Sequence, residues 1–181
     1  MQEIKVILGD ITSLEVDAIV NAANTDLRPG AGVDGAIHKK AGPELARVCQ
    51  YIGKCKTGHA VFTNGFRLPA RYVIHTASPT VEEEESDALL AQCYTNALNL
   101  ALSRGVRTIA FPLISAGFGG GFSSSQATRV ALSAINQFVK SQHEYSFKEI
   151  TIVLFKNSTY QVFKQTSLEM TEENTNISLT F

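Results

Sequence analysis

The sequence has almost no net charge: 16 Lys and Arg against 17 Asp and Glu leave −1 at neutral pH over 181 residues. So balanced a chain sets up no global field to draw in nucleic acid or an anionic membrane surface, and neither is an expected partner. Recognition of an anion must therefore be local, by backbone dipoles rather than a basic face. Long hydrophobic runs are missing too; none approaches the roughly 20 residues that cross a bilayer. Met1-Gln2-Glu3-Ile4-Lys5 lacks the basic and apolar blocks of a secretion signal. Cysteine is scarce, and three is an odd number for a disulfide framework. The expected setting is a reducing cytoplasm.

What is present suits one globular domain, with 44% apolar residues to build its core. Strand-like runs alternate with helical ones. Ile4–Leu8, Ala18–Val20, Ala60–Thr63, Tyr72–Thr76, Thr108–Phe111 and Ile150–Phe155 read as strands. Val33–Ala41, Pro43–Ile52, Glu82–Arg104, Ser123–Lys140 and Thr159–Leu168 read as helices. In Glu82–Arg104, Leu89, Cys93, Ala97 and Leu100 predict one apolar face. Continuous apolar strands separated by helices indicate an α/β sandwich with a largely parallel sheet. The domain is expected over 1–169. The polar tail 170–181 has no periodicity and is expected to be disordered.

Two glycine-bearing loops follow buried strands. One runs from Asn21-Ala22-Ala23-Asn24 into Gly30-Ala31-Gly32-Val33-Asp34-Gly35. The other is Ser115-Ala116-Gly117-Phe118-Gly119-Gly120-Gly121. Glycine leaves main-chain N–H groups uncovered, and a loop feeding a helix N-terminus makes a phosphate site. Two such loops predict a ligand gripped from both sides, with a diphosphate as the natural candidate. Both lie beyond the carboxyl ends of strands, where ligands bind in open α/β sheets.

Several side chains have both a functional and a structural reading. Asp10, at a strand end, suits an exocyclic amine such as that of adenine, or a cap for the turn at Thr12. Asn24 suits a sugar hydroxyl, or its own loop backbone. Asp34 at a helix start is held ionised, and either orients a water or ribose hydroxyl or merely caps the helix. Ser115 lies outside a Gly-x-Ser-x-Gly elbow and reads as a ligand contact, not a nucleophile. Phe155 suits stacking on a purine or a place in the core. His38, His59, His75, Cys49, Cys55 and Cys93 match no zinc spacing, so no metal is expected.

Gly9-Asp10-Ile11-Thr12, Val16–Asn24, Gly30–His38, Thr57-Gly58-His59-Ala60, Val73-Ile74-His75-Thr76 and Ile109–Pro112 together resemble a macrodomain of the MacroD type. The resemblance runs from about Ile4 to Leu168. It implies a three-layer α/β/α sandwich with a mixed, mainly parallel six-stranded sheet. It implies ADP-ribose or O-acetyl-ADP-ribose as ligand, ADP-ribosylated proteins as partners, and ester hydrolysis without a cofactor. On that resemblance Asp10 and Ile11 would hold adenine and Phe155 would contact it. Gly30, Ala31, Gly32 and Val33 would wrap the diphosphate and distal ribose. Ser115, Ala116, Gly117, Phe118 and Gly119 would close the other side. Asn24 and Asp34 would carry hydrolysis. Ala31 stands where the family has a middle glycine, and Gly119 where it has an aromatic; either Phe118 or Phe122 supplies the ring from an adjacent position, or the distal ribose goes uncovered. The rival reading is a non-catalytic ADP-ribose reader.

Overall fold

The computed structural model describes residues 1–117, 119–143 and 147–181. Its strands are β1 (Gln2–Leu8), β2 (Ala18–Ala23), β3 (Ala60–Asn64), β4 (Tyr72–Ala77), β5 (Thr108–Pro112), β6 (Glu149–Leu154) and β7 (Ile177–Thr180). Its helices are α1 (Gly32–Ala41), α2 (Pro43–Ile52), α3 (Ser86–Ser103), α4 (Ser124–Ser141) and α5 (Asn157–Glu169). The strands form one sheet in the order β3-β4-β2-β5-β6-β1-β7. β3 runs antiparallel to β4, and the other pairs are parallel.

Both faces of the sheet are covered, which is why its strands read as unbroken apolar runs. Alternation along each strand sends side chains to opposite faces. Val20, Ile74, Ile109, Phe111, Ile150 and Ile152 join the core that includes Leu90, Tyr94, Leu98, Leu132 and Phe163 from α3, α4 and α5. Ile19, Val73, Ala110 and Val153 face the core of α1 and α2, with Ile37, Leu45 and Cys49. The result is the expected α/β sandwich.

Three expectations change. The sheet has seven strands rather than six. The seventh comes from the tail expected to be disordered: Ile177–Thr180 pairs parallel with Gln2–Lys5 of β1. Ile177-Ser178-Leu179-Thr180 does alternate, but four residues are too few to stand out in a polar tail, and the open edge of β1 gives the strand its backbone partners. Third, α3 begins at Ser86, after the acidic run Glu82–Glu85, and Glu85 is left-handed at φ 55°. Its buried stripe is Leu90, Cys93, Tyr94, Ala97, Leu98 and Ala101, while Leu89 and Leu100 are only half-buried. Among the described residues no helix is long and apolar enough to cross a membrane.

Because six of the seven strands run the same way, their carboxyl ends share one edge. Asp10 follows β1, Asn24 follows β2, Leu113–Gly121 follow β5 and Phe155 follows β6. That edge is where the candidate site lies.

Candidate functional site

At one end, the paired strands β1 and β6 bring Asp10 and Phe155 together. Leu8 is in register with Leu154, and the Gly9 N–H donates to the Leu154 carbonyl at 2.9 Å. Phe155 is 76% exposed, so it is not the core aromatic that strand propensity favours. A ring held open at a strand end keeps its face for a planar ligand. Asp10 does cap its turn: Oδ1 accepts from the Thr12 hydroxyl (2.7 Å) and the Thr12 N–H (2.9 Å). Those bonds, with Lys40 nearby, hold its carboxyl below the usual range despite some burial. Both fall on Oδ1, which leaves Oδ2 for another donor. Ile11 is 5% exposed and belongs to the α1–α2 core, so its side chain offers a ligand little surface.

In the middle, loop one is organised by Asp34. This residue sits in the first turn of α1 and is buried. Its Oδ2 accepts from the Gly30 N–H at 2.7 Å, and its Oδ1 from Asn21 Nδ2 at 2.7 Å. His38, one turn along, places Nε2 at 3.4 Å from Oδ1. Burial pushes this carboxyl up, but His38, Asn21 and Gly30 outweigh it and hold it below the ordinary aspartate value. The loop admits no bulk where it closes: a Cβ on Gly35 would stand 2.5 Å from the Gly30 carbonyl oxygen. The preceding Ala31 has φ −96° and ψ −179°, extended backbone that alanine adopts freely. No side chain caps α1. Its first-turn N–H groups therefore lack the partners a cap would supply, and face the strand ends with the positive end of the helix dipole.

Asn24 is exposed, and its amide clamps the loop. Nδ2 donates to the Arg28 carbonyl at 2.7 Å, and Oδ1 accepts from the Arg28 N–H at 3.1 Å. The loop-backbone reading of this asparagine is thus realised; one N–H and one lone pair remain.

On the far side, loop two folds on itself. Ser115 is left-handed at φ 63° and buried, and its hydroxyl donates to the Pro79 carbonyl at 2.6 Å. The hydrogen of that hydroxyl is thus committed within the fold, and its oxygen remains an acceptor. The Ala116 N–H donates to the Leu113 carbonyl at 3.4 Å and the Gly117 N–H to the Phe122 carbonyl at 3.2 Å. Gly120 lies so close to the Ser115 backbone that no Cβ fits there. Gly119 has open space around it. Phe122 is 2% exposed in the main core and cannot supply a ring over a sugar. Phe118 lies outside the described residues.

A family model described as Macro domain matches residues 20–131. The chain belongs to the macro domain family. It is 44% identical over 168 residues to the O-acetyl-ADP-ribose deacetylase of Citrobacter rodentium, covering 90% of this chain and 93% of the relative. It is 43% identical over 162 residues to the ADP-ribose glycohydrolase MACROD2 of Xenopus laevis, covering 87% of this chain and 38% of that longer protein. Among solved structures, the Trypanosoma brucei macrodomain in complex with ADP-ribose superposes with TM-score 0.84 at 40% identity, over 91% of this chain and 68% of that one.

Within this macro domain, sequence reasoning missed the residues that fix Asp34. In the sequence Asn21, His38 and His75 stand out only as members of motifs or, for the two histidines, as candidate metal ligands. Two signals were available: an asparagine in an otherwise apolar strand, and the four-residue spacing of Asp34 and His38 on one helix face.

Proposed function

We infer that this protein binds ADP-ribose across the strand ends and hydrolyses ADP-ribosyl esters, on protein carboxylates or in O-acetyl-ADP-ribose. The observation that carries the reading is the pairing of an uncapped α1 N-terminus with a buried, ionised Asp34 in its first turn. The helix end suits a diphosphate, and the adjoining carboxylate suits a water or ribose hydroxyl next to it. Asp10 and Phe155 suit the adenine at one end of the ligand. Asn24 and Asp34 suit the distal ribose at the other. Relatives named as a deacetylase of O-acetyl-ADP-ribose and as an ADP-ribose glycohydrolase support the same chemistry.

In this scheme, water adds to the ester carbonyl, the tetrahedral intermediate expels the ribose oxygen, and a carboxylic acid and a free hydroxyl are released. Asp34 is too acidic to be a strong base, so it contributes chiefly by orienting the water. A second reading, a reader that binds without turnover, draws on Asn24, whose amide is already engaged with Arg28. Incubation with glutamate-linked ADP-ribosyl substrate separates the two. The wild type is expected to release ADP-ribose, and Asp34→Ala to lose at least about a hundredfold in rate, as for removal of a group that positions the reacting atoms. A wild type that binds ADP-ribose yet releases nothing refutes the hydrolase.

A further inference from the structure

Behind Asp34 a buried polar row crosses three adjacent strands. Thr63 lies on β3, His75 on β4 and Asn21 on β2, with Asn21 in register with His75. Their exposures are 4%, 1% and 0%. Thr63 Oγ1 is 2.9 Å from His75 Nε2, and His75 Nδ1 is 3.1 Å from Asn21 Nδ2. That same Nδ2 is 2.7 Å from Asp34 Oδ1.

The chemistry fixes the Asn21 amide orientation and the His75 tautomer. An ionised carboxylate only accepts, so the Asn21 group facing Asp34 is the NH2 and not the oxygen. The second hydrogen of that NH2 points at His75 Nδ1, which must then be bare. The ring proton is therefore on Nε2, where it donates to the Thr63 hydroxyl. Cys49 Sγ, 4.0 Å from Nε2, offers only a weak alternative. Asn21 Oδ1 is buried with no partner, an unfavourable state tolerated while both hydrogens of the amide are used. An amide turned over would set its oxygen against the carboxylate.

We propose that His75 is a positioning residue for Asp34: pinned by Thr63 as the Nε2–H tautomer, it takes one hydrogen of Asn21 and thereby aims the other at the Asp34 carboxylate. His75 touches no ligand in this scheme. Its effect passes through Asn21 to Asp34, and through Asp34 to the Gly30 N–H of loop one. The inference rests on the hydrolase reading for its kinetic consequence, but the hydrogen-bond row stands apart from it.

The test has two arms. In 15N-labelled wild type, long-range nitrogen–proton correlations are expected to show His75 with Nδ1 bare and Nε2 protonated at neutral pH. A proton on Nδ1 overturns the proposal whatever the turnover. In the kinetic arm, His75→Asn places an oxygen near the Nδ1 position and is expected to keep kcat within about threefold, whereas His75→Leu loses about tenfold or more in kcat at little-changed KM. Adding His75→Leu to Asn21→Ala is expected to cost nothing further, since the path through Asn21 is already cut. Equal kcat for His75→Leu and wild type overturns the proposal, as does additivity of the two changes. If His75→Leu does not fold, Thr63→Val against Thr63→Ser poses the same question from the other end of the row, with loss of kcat expected for valine alone. A wild type without turnover refutes the hydrolase reading, and the ring-nitrogen signals then decide the row.

Discussion

Replacing His75 by asparagine will remove a specific part of this protein's acid sensitivity. Burial, with His38 beside it, pushes the His75 pKa down from 6.5 to about 4, and the Asp34 charge only partly opposes this. The groups around the ring are Asn21, Thr63, Cys49, His38 and Asp34. Of these, Cys49 is pushed up to about 11 by burial and the Asp34 charge, and stays a neutral thiol. In the unfolded chain the imidazole takes a proton near 6.5; in the folded protein it stays neutral until about 4. Between those values the unfolded state binds more protons, so stability falls as pH falls through that window. The loss is complete near pH 4 and absent above about 6.5. At roughly 1.4 kcal/mol for each pH unit spanned, it amounts to about 3 kcal/mol, a sizeable share of the 5–15 kcal/mol of a typical domain. Asp34 acts in a different window: its folded value lies below 3.8, so its contribution is lost only as pH drops beneath that.

Urea unfolding followed by circular dichroism, at intervals from about pH 7.5 to 4.5, measures this directly. His75→Asn is expected to be the less stable protein at neutral pH, with a flatter slope below about 6.5. The gap between wild type and variant should close by about 3 kcal/mol, less the part of the window left below the lowest pH. Parallel curves for the two proteins would refute the reasoning, because groups that do not interact with His75 cancel in the difference.

Three further outcomes are expected. Asp10→Ala should weaken ADP-ribose binding by about 1–2 kcal/mol in calorimetry, through loss of a hydrogen bond to a charged acceptor; unchanged affinity removes Asp10 from the adenine end. Phe155→Ala should lower affinity by about 1–3 kcal/mol, the usual worth of one base–aromatic stack, with little change in melting temperature because the ring is exposed. Gly35→Ala should distort loop one, since its Cβ would meet the Gly30 carbonyl at 2.5 Å, and should reduce ADP-ribose affinity more than Ala31→Gly does; equal affinities for both variants would show that loop one is not held closed in this way.

Much of the architecture could be read locally. Pro43–Ile52 is the helix that Pro43 announces, flanked by Gly42 at φ 91° and Gly53 at φ 88°. The strands were legible because both of their faces are apolar, and the glycine loops because turns of that shape exclude side chains. The edges were less so. Helix α3 starts four residues later than its acidic run suggests, and its buried stripe is rotated, because contact with β4 and α4 rather than propensity sets the face.

The candidate site divides in the same way. Which residues lie near the strand ends, among them Asp10, Asn24, Asp34 and Phe155, follows from their order along the chain and the α/β plan. What each of them does there does not. Asn21 and His75 are 54 residues apart and meet only because β2 and β4 are neighbours in the sheet. Ser115 turns its hydroxyl to Pro79 across 36 residues, and Phe122 is drawn into the core. Short-range patterns encode the elements and their turns, because those depend on backbone geometry a few residues wide. A hydrogen bond between distant strands depends on which strands become neighbours and in what register, and that is settled only when the whole sheet assembles around its two cores.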